Sequence, residues 1–174
     1  YSDKKNLIDE KSKTNSESLH GLMHLTRENL LKTCNFKSFT IIRPTLVYGK
    51  NDPHDGYGPN KFLRLALLGE NINIFGKGEE LRDHIHVIDV ARIITSCILK
   101  NKKGIFNAVS GKVISFKNIA EYILKITNSK SQINYISRKA PIPHNGYRAF
   151  NNRKIKKELN ISTDNFKKSI KKLI

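Results

Sequence analysis

Three side chains raise the first question of chemistry. His20, His24 and Glu28 recur every fourth residue, which on a helix sets all three along one face about a turn apart. Two imidazoles at this spacing can chelate one metal ion. No His-Glu-x-x-His sequence occurs and no further ligand can be placed beside them, so the argument for a metal stops there. A surface row with a Glu28/His24 ion pair is the plain structural alternative. A catalytic row is the third, because an imidazole titrates near neutrality and can shuttle a proton.

Phosphate-binding turns come next. Gly76-Lys77-Gly78 lacks a third glycine and a helix directly after it, and no G-x-x-x-x-G-K-[ST] is present, so the glycine pair reads as a turn between strands. No Gly-x-Ser-x-Gly elbow and no Cys/His cluster occurs either.

The elements that must carry these residues follow from periodicity. Residues 1–15 are polar and turn-like, and a helix then opens, with Asn15, Ser16 and Ser18 as cap candidates and apolar positions from Leu19 to Leu31. Phe39–Ile42 is a short apolar run of the kind buried on both faces of a parallel sheet, and Arg43-Pro44 is expected to end it. Tyr48 to Asn60 is a long Gly/Pro/Asp/Asn/His loop, of a length usually tied to function. Helix over 61–68, strand over 72–75, strand over 83–87 and a helix capped by Asp89 follow. Then come strand 104–109, a helix from Ser115, a weak strand 133–136 and two basic helices, 152–159 and 163–173. Strands alternating with helices imply an α/β fold with a mostly parallel sheet and a ligand site at the strand ends.

The chain has 174 residues, 38% hydrophobic and 8% aromatic, which suits one domain or a little more and excludes wholesale disorder. No apolar run approaches the roughly 18 residues of a membrane span. A formal charge of +17 raises nucleic acid as a partner, through Arg153–Lys157 and Lys167–Ile174. Yet Ile155, Leu159, Phe166, Ile170 and Leu173 recur at helical spacing, which argues for packed amphipathic helices with lysines in solvent and against nucleic acid. Cys34 and Cys97 are too few for a disulfide framework and read as buried thiols, with a reducing cytoplasm as the expected compartment.

Several segments, taken in order, resemble the C-terminal half of the extended short-chain dehydrogenase/reductase family, the NAD-dependent nucleotide-sugar epimerases and dehydratases. That family's Tyr-Gly-x-x-Lys-x-x-x-Glu is matched by His20-Gly21-Leu22-Met23-His24-Leu25-Thr26-Arg27-Glu28. Its Arg-Pro-x-x-Val-Tyr-Gly is matched by Arg43–Gly49. Its Phe-Gly-x-Gly-x-x-x-Arg-Asp-x-x-x-Val-x-Asp-Val-Ala is matched by Phe75–Ala91, and Phe106–Gly111 continues the order.

The resemblance implies a Rossmann-like parallel sheet plus a small α/β substrate domain. Residues 1–49 and 82–111 would belong to the NAD(P)-binding part, and 50–81 and 112–174 to the substrate part. It implies NAD or NADP as cofactor in the full-length protein, a nucleotide-sugar substrate, and room for a homodimer. It places the family's glycine-rich turn and catalytic Ser or Thr upstream of Tyr1, so the isolated chain is expected to be inactive. Histidines stand where the family has its catalytic tyrosine and lysine: His20 would be the acid/base, and His24 would contact the cofactor ribose. Pro44 and Thr45 would pass the nicotinamide. Arg82 would meet the substrate diphosphate, Arg148 the same phosphates, and Asn60 would cap the helix at Lys61 or meet the substrate. A surface ion pair of Arg82 with Asp83 or Glu80 is the alternative there, and Leu46 replaces a substrate-binding Asn of many relatives.

Overall fold

The strand begun at Thr40 ends at Pro44, as expected, and the chain there changes sheet. In the computed structural model, which describes residues 1–2, 7–16, 18–34, 36–52 and 56–174, β2 (Thr40–Pro44) runs parallel to β6 (Gly104–Ala108), with Ile42 opposite Phe106 and Arg43 opposite Asn107. Thr45 N–H then donates to the Ala108 carbonyl at 3.1 Å. The chain continues as β3 (Leu46–Tyr48), now parallel to β5 (Leu81–His86). Proline is tolerated at the end of β2 because the next donor, Thr45, carries on the ladder.

A second surprise is how much pairs on β5. Beside β3, it takes β9 (Tyr147–Phe150) in parallel and β7 (Val113–Ser115) antiparallel, while β1 (Leu7–Ile8) adds in parallel to β9. β4 (Ile72–Phe75) and β8 (Ile133–Ile136) form a separate parallel pair. Among the described residues all the pairings but one are parallel, as alternating βα order requires.

The helices begin where side-chain oxygens or prolines allow. Ser18 opens α1 (Leu19–Thr33), its hydroxyl accepting from Gly21 N–H, and Ser115 opens α4 (Phe116–Thr127) through Asn118 N–H. Pro59 starts α2 (Pro59–Leu68), and Gly69 ends it in the left-handed conformation. α3 (Val87–Leu99) is capped by His86, whose Nδ1 accepts from Ile88 N–H at 3.3 Å. The expectation of an Asp89 cap therefore fails: Asp89 lies within the first turn of α3, buried, accepting from Arg92 and from the Asp164 N–H. Both basic segments are shorter than expected: the first is a π-helical turn at Ile155–Leu159, and the second is α5 (Phe166–Ile170) followed by a 3-10 turn.

Two cores hold these layers. One gathers Phe62 of α2, Ile72 and Ile74 of β4, Phe116, Ile119 and Ile123 of α4, and Ile170 of α5. The other joins Ile85, Ile93, Phe106, Ile155 and Leu159. Phe116, Ile119, Ala120 and Ile123 follow the i, i+3, i+4, i+7 stripe of a helix with one buried face, and truncating such an isoleucine costs roughly 2–5 kcal/mol. Burial of Ile155, Leu159 and Ile170 beside exposed lysines gives the C-terminal segments the amphipathic packing expected of them.

α1 is the exception. None of its residues is buried, and Leu19 is 75% exposed despite the apolar pattern. Cys34, at its C-cap, is exposed for the same reason, contrary to expectation, whereas Cys97 is buried in α3. The loop expected between Tyr48 and Asn60 is present, but residues 53–55 of it lie outside the described residues. No helix among the described residues is long and apolar enough to cross a membrane.

Candidate active site

An ion pair ties α1 to β2. The Glu28 carboxylate receives Arg43 Nε at 2.7 Å and Nη2 at 2.5 Å, a two-point contact between helix and β2. Arg43 holds the Glu28 carboxyl below its ordinary range. Burial opposes the Arg43 charge, but the bonds to Glu28 and Tyr1 outweigh it and raise the guanidinium's pKa. Glu28 thus pairs with β2 and not with His24, so the expected His24/Glu28 surface pair is absent, and its carboxylate is not available to a chelate with the histidines.

His20 and His24 sit one turn apart on the exposed side, rings edge to face with centroids 4.7 Å apart. They overlook a cleft of about 610 Å³ whose lining includes Tyr1, Arg43, Pro44 and Arg148. Below them the Arg43 guanidinium lies 4.7 Å above the Tyr1 ring, and Tyr1 OH donates to Asn107 Oδ1 at 2.6 Å. Burial raises the Tyr1 phenol above its ordinary range, against the lowering influence of Arg43. Four residues singled out from sequence, His20, His24, Pro44 and Arg148, therefore share one cleft.

The other three lie elsewhere. Thr45 does not reach that cleft with its hydroxyl, which donates to the Asp83 carbonyl at 3.0 Å. Asn60 is not the cap of α2: Gly58 holds that position, and Asn60 is buried within the first turn. Its amide ties the preceding loop, accepting from Gly49 N–H at 3.3 Å and donating to Asp52 Oδ2 at 2.6 Å. It borders a hollow of about 160 Å³ with Leu46, Tyr48 and His84.

Arg82 is buried, and its ion pair with Glu80 is an interior one, not the surface pair of the alternative. Arg82 Nη2 donates to Glu80 Oε2 at 2.5 Å and to the Pro143 carbonyl at 2.6 Å. The other carboxylate oxygen of Glu80 accepts from Arg138, whose guanidinium lies 5.2 Å above the Phe75 ring. Arg148 is the register partner of Arg82 across β5 and β9, yet its side chain goes to the carbonyls of Tyr1 (2.9 Å) and Ser2 (3.4 Å). The second guanidinium beside Arg82's counter-ion is Arg138, which sequence reasoning missed. Its only signal is its place two residues past β8, and the parallel β4–β8 pairing that brings it over Phe75 is non-local.

Asp83, next in the chain, is a structural anchor. Its carboxylate accepts from Ser110 N–H (2.9 Å), Ser110 Oγ (2.8 Å) and Gly111 N–H (2.7 Å), fixing the turn after β6. Burial nevertheless pushes its pKa up to about 6 against those bonds.

Comparison with known proteins bears on the family and the fold. A family profile described as the NAD dependent epimerase/dehydratase family matches residues 1–108. A UDP-N-acetyl-alpha-D-glucosaminuronate decarboxylase of Bacillus cytotoxicus is 30% identical over 119 residues, 66% of this chain and 36% of the relative. The fold matches that of a UDP-N-acetylglucosamine 4-epimerase from Methanobrevibacter ruminantium in complex with UDP-N-acetylmuramic acid, with a TM-score of 0.83 at 20% identity, over 95% of this chain and 55% of that one. MoeE5 in complex with UDP-glucose and NAD gives a TM-score of 0.82 at 21% identity, over 95% and 57%. The chain thus spans about half the length of these solved structures and about a third of the curated relative. With the profile covering well over half of its residues, the chain belongs to the NAD-dependent epimerase/dehydratase family.

Proposed function

We propose that this chain is the C-terminal portion of an NAD(P)-dependent nucleotide-sugar epimerase or dehydratase. In this reading residues 1–49 and 82–111 complete the cofactor-binding part, and 50–81 and 112–174 form the substrate part. The observation that carries it is the shared cleft of His20, His24 and Pro44, together with the Arg82–Glu80–Arg138 cluster at the start of β5.

The residues fit the nicotinamide-ribose end of such a cofactor. The donor set is suitable, since two adjacent imidazoles can hydrogen-bond hydroxyls, and Pro44 offers an apolar wall. No glycine-rich pyrophosphate turn is among the 174 residues. When bound, the nicotinamide supplies reversible hydride acceptance at a sugar carbon. His20 would remove and return the proton of the sugar hydroxyl at a ring nitrogen. His24 would hydrogen-bond the ribose, and Arg82 with Arg138 would present guanidinium forks to the diphosphate. Arg148 has a positioning part, holding the Tyr1–Ser2 backbone at the wall of the cleft.

The test is turnover of UDP-glucose by the intact protein and by His20→Phe. The substitution is expected to lower kcat by about 10²- to 10⁴-fold with UDP-glucose affinity unchanged; full activity in the variant would remove His20 from the chemistry. A second reading, a relative that binds nucleotide sugar without turnover, is favoured by the exposure of both histidines. It would show UDP-glucose binding and no product in the wild type.

A further inference from the structure

Among the described residues, Glu80 lies as an anion between two cations. It is 5% exposed, Arg82 is 6% exposed, and the Arg138 side chain is 19% exposed. These three groups together carry a single net positive charge where the proposed function places a diphosphate. In so buried a cluster the carboxylate is poorly screened by salt, so it repels an incoming anion while it holds the two forks in place. That repulsion scales with the charge of the ligand. A nucleotide sugar carries about two negative charges on its diphosphate, both in diester-like groups. A free nucleoside diphosphate carries about one more at neutral pH, because its terminal phosphate ionises again near pH 6.

We infer that Glu80 is a specificity-determining residue, setting the net charge of the Arg82–Arg138 site so that it favours the diphosphate of a nucleotide sugar over the free nucleoside diphosphate. The geometry gives it this part: its two oxygens engage different arginines, so no second anion is needed to hold the forks side by side. Arg82 has the carbonyls of Pro143 (2.6 Å) and Leu81 (3.2 Å) as neutral acceptors besides Glu80. Replacing the charge of Glu80 therefore leaves Arg82 positioned. The inference rests on the nucleotide-sugar reading and adds to it a choice between ligands that share the nucleoside.

The experiment measures, by calorimetry at low salt, the dissociation constants of UDP-glucose and UDP for the intact wild-type protein, Glu80→Gln, Arg138→Gln and Arg82→Gln. Glu80→Gln is expected to tighten UDP more than UDP-glucose, shifting the ratio of the two constants by about tenfold toward UDP. Arg138→Gln, which makes the cluster neutral, is expected to shift the ratio the other way. An unchanged ratio in Glu80→Gln, with both ligands still weakened by Arg82→Gln, overturns the selectivity of Glu80 and leaves the nucleotide-sugar reading standing. Absence of binding in the wild type, or a UDP-glucose affinity untouched by Arg82→Gln, overturns that reading and this inference with it. Should Glu80→Gln fail to fold, as judged by circular dichroism, Arg138→Gln decides: a ratio shifted against UDP supports the inference, and an unshifted ratio overturns it.

Discussion

Glu28 and Arg43 join α1 to β2 by two hydrogen bonds of 2.7 and 2.5 Å across fifteen residues of chain. With no residue of α1 buried, this pair positions the helix that carries both histidines. Both side chains are about one-seventh exposed, so the pair is far more shielded than a surface ion pair.

Glu28→Ala is accordingly expected to cost about 1–3 kcal/mol of stability, since it leaves a mostly buried guanidinium without its anion. Thermal denaturation checks the loss. The acid limb follows from linkage: the Glu28 carboxyl is depressed in the folded state, so its contribution is present above the ordinary carboxylate pKa and fades as pH falls through the lower folded value. Wild type should lose this increment in acid, and Glu28→Ala should have none to lose.

Asp83 and His84, adjacent on β5, pull stability in opposite directions in one pH window. Burial raises Asp83 to about 6, so its contribution is complete below the unfolded carboxylate value and is lost as pH rises through about 6. Burial lowers His84 to about 4, so its contribution is complete above the unfolded imidazole value near 6.5 and is lost as pH falls toward 4. Its Nε2 is buried without a partner, between the Phe116 and Phe166 rings. His84→Phe is expected to remove the acid-side loss, leaving stability that falls with rising pH between about 4 and 6, at up to roughly 1.4 kcal/mol per pH unit. Urea midpoints at pH 4.5, 5.5 and 7 provide the measurement, and a wild-type-like pH profile in the variant would refute this account of His84.

Gly78 is required by both backbone and space. Its φ is +67°, and a Cβ there would lie 2.6 Å from Ile74 Cδ1 and 2.9 Å from Lys117 N, whose N–H donates to the Gly78 carbonyl. Gly78→Ala is expected to cost roughly 1–3 kcal/mol. A melting temperature equal to wild type would show that the turn before β5 can relax.

Local signals were legible and contacts between distant segments were not. β4, the Ser115 cap and α4 depend on neighbours a few residues away, and sequence located each within a residue or two. β3 was hidden behind Pro44, because its partner is β5, and β1, β7 and β9 are short strands that exist through the same sheet. Asp89 resembles a cap by type, but the chain enters α3 so that His86 Nδ1 reaches the free N–H first. At the site, the spacing of His20 and His24 was readable. The pairing of Glu28 with Arg43 and the convergence of Arg82 and Arg138 on Glu80 depend on sheet register, which periodicity does not encode.

The most direct test of the proposed nucleotide-sugar site is the calorimetric affinity of the intact protein for UDP-glucose, compared with Arg82→Gln, Arg138→Gln and Arg148→Gln. The structure-based account expects saturable binding, weakened about tenfold or more by loss of Arg82 or Arg138, each a charge-assisted contact. Arg148→Gln should stay within about twofold, because Arg148 serves the Tyr1–Ser2 backbone. Binding that survives both Arg82→Gln and Arg138→Gln but collapses in a folded Arg148→Gln variant would contradict it.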